Sequence, residues 1–199
     1  MKTDQSRTAR PLIVAVGGGT CSGKTTLCNR IEERFSHLHV RVLHMDHYFK
    51  KNPPNVTAPF TKKVYPEHNH PDTLELPRLF ADCKEAFMSP YDLVLVEGLF
   101  ALYFPEIYEQ SDLSVFVDLR AEERFCRRIR RHMAMGQTFD EITDRYLDTV
   151  CFRHDELVEP TKNRADLILS GTFRHRGVDW LCDAIAARLS SRKTREEPT

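Results

Sequence analysis

Residues Gly18 to Thr25 read G-G-T-C-S-G-K-T, which satisfies the phosphate-loop spacing G-x-x-x-x-G-K-[ST]. The chemistry this pattern serves is the gripping of a polyphosphate. Glycines let consecutive backbone N–H groups curl inward around the anion, and the following helix adds the positive end of its dipole. In such a loop Gly18, Gly19, Thr20, Cys21, Ser22, Gly23, Lys24, Thr25 and Thr26 are the nucleotide contacts. Lys24 reaches the β- and γ-phosphates, and the Thr25 hydroxyl is a ligand for Mg²⁺. The expected ligands are therefore ATP and magnesium.

Carboxylates that could complete such a site follow two apolar runs. Asp46 stands just after Val40 to Met45 and is a candidate general base, able to orient an alcohol and take its proton. Tyr48 and Phe49 beside it are candidate walls of an acceptor pocket. Glu97 ends the apolar run Asp92 to Val96, where a second magnesium-shell carboxylate is expected. Arg120, Arg124, Arg127, Arg128, Arg130 and Arg131 crowd one predicted helix, with Arg124, Arg128 and Arg131 on one face and Phe125, Ile129 and Met133 on the other. The apolar stripe is expected to dock. A run of charge is often only a solvated face, and it can also be an RNA surface. Beside a phosphate loop it reads best as a mobile lid over about residues 120–160, hinged near Gly136. Arg145 and Arg153 lie on the next helix. Thr161 to Arg164 lacks the Asp of a guanine-reading signature, and no D-x-x-G switch is present.

The elements that must hold these residues alternate. Strands are predicted at Leu12 to Val16, Val40 to Met45, Asp92 to Val96, Leu113 to Asp118 and Asp166 to Leu169. Helices are predicted after the phosphate loop and over Leu76 to Met88, Ala121 to Met133, Asp140 to Leu157 and about Val178 to Leu189. Alternation of this kind predicts an α/β fold with a mostly parallel five-stranded sheet covered by helices on both faces. Its ligands are expected at the carboxyl ends of the strands. With 199 residues the chain is expected to form one domain with frayed tails at 1–10 and 190–199. Lys plus Arg and Asp plus Glu stand at 29 each, which argues against a general nucleic-acid or membrane-surface binder. No apolar run reaches the roughly 18 residues of a membrane span. Six cysteines occur singly, with no C-x-x-C pair, so zinc is not expected and reduced thiols in a cytoplasmic protein are.

Taken in order, Gly18 to Thr26, Met45 to Phe49, Asn69-His70-Pro71-Asp72, Val94 to Leu99, Phe116 to Asp118, Arg127 to Arg131, Tyr146 and Pro160-Thr161-Lys162 with Ala165-Asp166 resemble the uridine kinases, in the wider group that includes phosphoribulokinase. The resemblance runs from Ile13 to about Gly171. It implies a P-loop NTPase fold and transfer of the ATP γ-phosphate to the 5′-hydroxyl of a nucleoside. It implies that Asp46 is the base and that Arg128 and Arg131 are lid arginines. It sets Asn69, with His70, where an Asp usually binds the ribose hydroxyls, and it puts the adenine contact near Gly171 to His175. A homo-oligomer is possible on the same grounds. Departures are visible as well. The hairpin that reads the pyrimidine is missing between Met88 and Asp92, the lid's R-G-R is Met135-Gly136-Gln137, the usual Gln before the tyrosine is Arg145, and Arg131-His132 replaces an R-D pair. The acceptor is thus expected to be a small hydroxyl compound, either a nucleoside or another alcohol such as nicotinamide riboside. A catalytically weak nucleotide-binding regulator is the rival reading.

Overall fold

A computed structural model describes residues 10–173 and 176–194. Five parallel strands form one sheet in the order β2-β5-β1-β6-β7, made of β1 (Leu12–Gly18), β2 (Val40–His44), β5 (Leu93–Glu97), β6 (Leu113–Asp118) and β7 (Leu167–Ser170). The central strand β1 is buried along its whole length, as an apolar strand flanked by parallel neighbours must be. Alternate residues feed two separate cores. Leu12, Val14 and Val16 pack with Leu27, Cys28 and Ile31 of α1 (Lys24–Arg34) and with Leu181, Cys182 and Ile185 of α7 (Gly177–Thr194). Ile13 and Ala15 face the other way, toward Leu79, Cys83 and Ala86 of α2 (Leu76–Met88) and Ile107 of α3 (Pro105–Tyr108). The period-two alternation of strand side chains puts helices on both faces.

The predicted strands and helices of the sheet layer are found within one or two residues at most ends. Three features matter for the site. A short antiparallel hairpin, β3 (Asn55–Thr57) with β4 (Val64–Pro66), was not expected in a stretch rich in proline and lysine. Between Met88 and Leu93, where the resemblance implies an inserted hairpin, only Ser89 to Asp92 join α2 to β5. The single helix expected over Asp140 to Leu157 is interrupted. α5 (Phe139–Arg145) gives way to a π turn at Tyr146–Val150, then to α6 (Cys151–Arg153) and a second π turn at His154–Val158. The Thr149 hydroxyl donates back to the Arg145 carbonyl at 3.0 Å and the Cys151 thiol to the Leu147 carbonyl at 3.4 Å, side-chain bonds of the kind that distort a helical ladder.

The arginine helix α4 (Ala121–Met133) is the element whose docking departs most from expectation. Its arginine face is the buried one: Arg124 is 5% exposed and Arg128 9%, while Met133 is 50% exposed. The guanidinium groups find oxygens on this side. Arg124 Nε donates to the Leu119 carbonyl at 3.0 Å, and Arg128 Nη1 donates to the Thr20 hydroxyl at 3.1 Å. Phe125 uses the opposite stripe only partly, stacking on Tyr146 with ring centroids 4.5 Å apart.

The end of α4 is a left-handed turn. Gly136 has φ +91°, its N–H bonds the Met133 carbonyl, and Gln137 N–H reaches back to the His132 carbonyl at 3.1 Å. This is the paired closure of a helix end at glycine. Thr138 and Glu141 then form a reciprocal cap that starts α5. A side chain at position 136 would meet nothing within 4 Å, so its cost is conformational alone. Gly136→Ala is expected to lower unfolding free energy by about 1 kcal/mol at an unchanged denaturant slope. An unaltered urea midpoint would show that the left-handed turn is not what ends α4.

Candidate active site

The carboxyl edge of the sheet carries the charged residues. The phosphate loop leaves β1 with Gly18 at φ +136°, where an added methyl would press on the Val117 carbonyl of β6 at 2.5 Å. Only glycine fits both the angle and the approach. β2 runs into a 3₁₀ turn, Met45–Tyr48, that presents Asp46 to solvent. Glu97 ends β5 and is paired in register with Val16 on one side and His44 on the other. That register explains its contacts. One carboxylate oxygen, Oε1, accepts from the Thr25 hydroxyl at 3.0 Å and lies 2.8 Å from His44 Nδ1.

These groups line one cleft of ≈ 670 Å³. Of the residues singled out in the sequence, the structure brings Thr20, Cys21, Gly23, Lys24, Thr25, Thr26, Asp46, Phe49, Asn69, Glu97, Arg128, Arg131 and Arg145 to its walls. Gly18, Gly19 and Ser22 belong to the turn behind it. Tyr48 and His70 are not brought in. Tyr48 is buried in the core and donates its hydroxyl to Asp82 of α2 at 2.7 Å, because side chains on a 3₁₀ turn diverge and the ring takes the inward side. His70 turns its Nδ1 to the N–H of Asp72 and caps the turn Pro71–Thr73. The wall position belongs to His68 instead, whose ring meets Phe49 edge-on at 5.7 Å. Arg127, His132, Met135 and Gln137 also line the cleft. Their alignment with Arg128 and Arg131 along α4 and its end was the available signal. Of the stretch expected at the adenine, Gly171 to Phe173 are described and Arg174 and His175 lie outside the described residues. Arg127 Nη1 donates to the Gly171 carbonyl at 3.1 Å.

A larger apolar concavity of ≈ 930 Å³ lies between Phe80, Phe87 and Met88 of the α2 region and Ile13 near the start of β1, away from this chemistry. The smaller cleft is the candidate because it holds the titratable groups. Lys24 is held by a 2.9 Å bond to the Gly19 carbonyl. Burial pulls its ammonium below the ordinary value, and the neighbouring Glu97 and Asp46 carboxylates oppose that shift. Burial also lowers the pKa of His68 and of His132, each reinforced by nearby arginines. The site fits its implied ligands. Arg128 Nε is buried without a partner on the cleft wall, which suits an incoming phosphate oxygen. The Thr25 and Glu97 oxygens are a hard donor pair of the sort that holds magnesium through one or two protein groups and water.

Behind the loop, His154 packs against Gly19, where an added methyl would come within 2.9 Å of its ring carbon and 2.6 Å of Arg124 Nη1. His154 Nε2 lies 3.2 Å from Glu159, and Nδ1 is buried without a partner. Burial, followed by the positive charge of Arg124, pulls its pKa from 6.5 down to about 4. A depressed histidine binds more protons unfolded than folded, so it costs stability as pH falls from 6.5 through 4. His154→Phe is expected to remove this loss. Relative to the parent chain, the variant should gain about 3 kcal/mol between pH 7 and pH 4 in denaturant titrations. Parallel pH curves for the two proteins would refute a buried neutral ring.

No helix among the described residues is long and apolar enough to cross a membrane. Comparison with known proteins agrees with the architecture. The chain is 33% identical to a uridine kinase of Deinococcus deserti, the match covering 90% of this chain and 96% of that one. It is 28% identical to the uridine kinase of Oceanobacillus iheyensis over 91% of this chain and 97% of that one. Among solved structures, phosphoribulokinase from Rhodobacter spheroides matches with TM-score 0.57 and 16% identity, covering 81% of this chain and 70% of that one. D-glycerate 3-kinase from Cryptococcus neoformans var. grubii matches with TM-score 0.55 and 14% identity, covering 87% and 91%. These two share the fold. The phosphoribulokinase/uridine kinase family model matches residues 57–174. With a phosphate loop at the head of its central strand and a relative 33% identical over 90% of its length, the chain belongs to the phosphoribulokinase/uridine kinase family of P-loop kinases.

Proposed function

We propose that this kinase transfers the γ-phosphate of ATP to a hydroxyl of a nucleoside or nucleoside-like small molecule, as one cytoplasmic domain with residues 120–160 as its lid. One observation carries the reading: Asp46 shares a single cleft with Lys24, Arg128 and Arg131. Phosphoryl transfer asks for little covalent chemistry from a protein, and for much positioning and charge balance. The loop amides and Lys24 hold the phosphates. Thr25 and Glu97 would hold magnesium, which would supply positive charge to offset the charge that builds during transfer. Asp46 orients the acceptor hydroxyl and takes its proton. Arg128 and Arg131 face the migrating group and help exclude water. Phe49 and Asn69 shape the acceptor end.

A second acceptor class has specific support. The four-residue link from α2 to β5 leaves no inserted hairpin to read a pyrimidine. Asn69 and Arg145 replace the Asp and Gln of the family pattern. These favour another small alcohol, nicotinamide riboside among the candidates. Loss of the lid's R-G-R at Met135-Gly136-Gln137 is what favours a nucleotide-binding regulator. A panel of nucleosides and related alcohols, scored by acceptor-stimulated ADP release, separates the three. Tight ATP binding with no stimulated turnover would select the regulator.

Asp46→Asn keeps the shape and removes the base. It is expected to lower kcat by roughly 100-fold or more and to leave the ATP Kd within about twofold. An equal loss in both quantities would place Asp46 in nucleotide binding and not in proton transfer.

A further inference from the structure

One cation of the cleft stands apart from the phosphate loop. Five cationic side chains line it, Lys24, Arg127, Arg128, Arg131 and Arg145, against the two carboxylates Asp46 and Glu97. Lys24 and Arg128 bond the phosphate loop, and Arg127 reaches the Gly171 carbonyl beside it. Arg145 is different, because it enters from the end of α5 on the side of the β3–β4 hairpin. Its Nη2 donates to the Pro66 carbonyl at 2.5 Å, and its Nε is buried without a partner. It forms no ion pair among the described residues.

The acid whose field acts most strongly on Arg145 is already committed. Glu67 is 3% exposed, and its Oε1 accepts the N–H groups of His68 and Asn69 at 2.9 and 2.7 Å. Its Oε2 takes Arg153 at 3.0 Å. Glu67 therefore holds the backbone of the acceptor wall and leaves Arg145 without an ion pair among the described residues, its Nη2 bonded to the Pro66 carbonyl and its Nε without a partner. Burial lowers the pKa of Arg145, a sign that its charge is poorly compensated. Beside it stand His68 and Asn69. Neither brings negative charge to the cleft, and Asn69 occupies a position where the family resemblance implies a carboxylate. A neutral polyol is usually gripped by acceptors such as carboxylates, which receive its hydroxyl protons. A wall of unpaired donors and an uncompensated guanidinium suits the opposite ligand.

We propose that the phosphate acceptor carries, besides its reacting hydroxyl, an anionic group, a carboxylate or a phosphate, which Arg145 binds with His68 alongside. This rests on reading the cleft as a phosphoryl-transfer site and narrows the acceptor within it. Arg145 is then the specificity-determining residue. A planar fork with two or more free N–H groups matches either anion, and a neutral analogue would leave it desolvated and unpaired.

Matched acceptors test this, with the full chain loaded with magnesium and a non-hydrolysable ATP analogue. Calorimetry compares uridine with orotidine, which adds a carboxylate, and ribose with ribose 5-phosphate, which adds a phosphate. The charged member of at least one pair is expected to bind roughly tenfold tighter, and the pair that responds identifies the anion. Arg145→Gln should abolish the preference, and Arg145→Lys should retain part of it. The lysine variant also serves should the glutamine variant fail to fold. Equal affinity within both pairs, no binding of either charged compound, or a preference that survives Arg145→Gln would each overturn the proposal. ADP release is read in parallel with ATP. Arg145-dependent binding with no turnover for any acceptor would leave the anion site standing and remove the kinase reading.

Discussion

Backbone pressed against backbone sets the rest of this structure. A methyl group on Gly171 would lie 2.0 Å from the Ser22 carbonyl oxygen, so the segment after β7 and the phosphate loop touch main chain to main chain. Gly18 makes the matching approach to Val117 at the end of β6. Arg127 adds a clamp across the seam, with Nη1 3.5 Å from the Ser22 oxygen and 3.1 Å from that of Gly171. The amide cradle is thereby located relative to three strands of the sheet without depending on flexible side chains. Lys24, Thr25 and Glu97 inherit their positions from it, and so does the face that α4 must fit.

That fit is electrostatic. A helix with an apolar stripe usually docks by that stripe, since burial of apolar area is the larger gain. α4 docks by its arginines because the loop beneath offers oxygens. The consequence is a ring of incomplete hydrogen bonding. Ser22 Oγ, Arg124 Nη1, Arg128 Nε, Arg145 Nε and His154 Nδ1 are the buried side-chain atoms without partners among the described residues, and all belong to the phosphate loop or to the segment from 124 to 154. Such atoms cost free energy where they stand. Arg128 and Arg145 line the cleft while Ser22, Arg124 and His154 lie behind it, so the unpaired atoms on the cleft wall suit anionic oxygens and would tie their binding to the stability of the helices that cover the loop.

Much of this was legible in the residues. The phosphate loop, its strand and its helix were readable because each local preference agreed with the next. The five strands and the helices α2 and α4 followed from apolar runs and helical spacing. Asp46 and Glu97, which the structure places on the cleft, are the polar residues that follow those runs. Less was legible where tertiary contacts decide. Three-residue strands around prolines carry too little pattern to announce β3 and β4. Tyr48 could not be told from Phe49 as a wall residue, because a 3₁₀ turn sends neighbours in different directions, and His68 carried no pattern of its own. At the first π turn the Thr149 and Cys151 side chains bond back to the helix, which no periodicity records.

The hairpin has a mechanical meaning. It is moored to α5 and the π turn that follows by Lys63 with Asp144, by Tyr65 with Asp148 and by Pro66 with Arg145, and Glu67 just beyond it is tied to Arg153. His68 and Asn69 continue the same strip of chain into the cleft. Swinging of α5 about the glycine turn would therefore drag the acceptor wall along as a single jaw. Shutting over one guest would then reshape the seat of the other and make the two sites coupled.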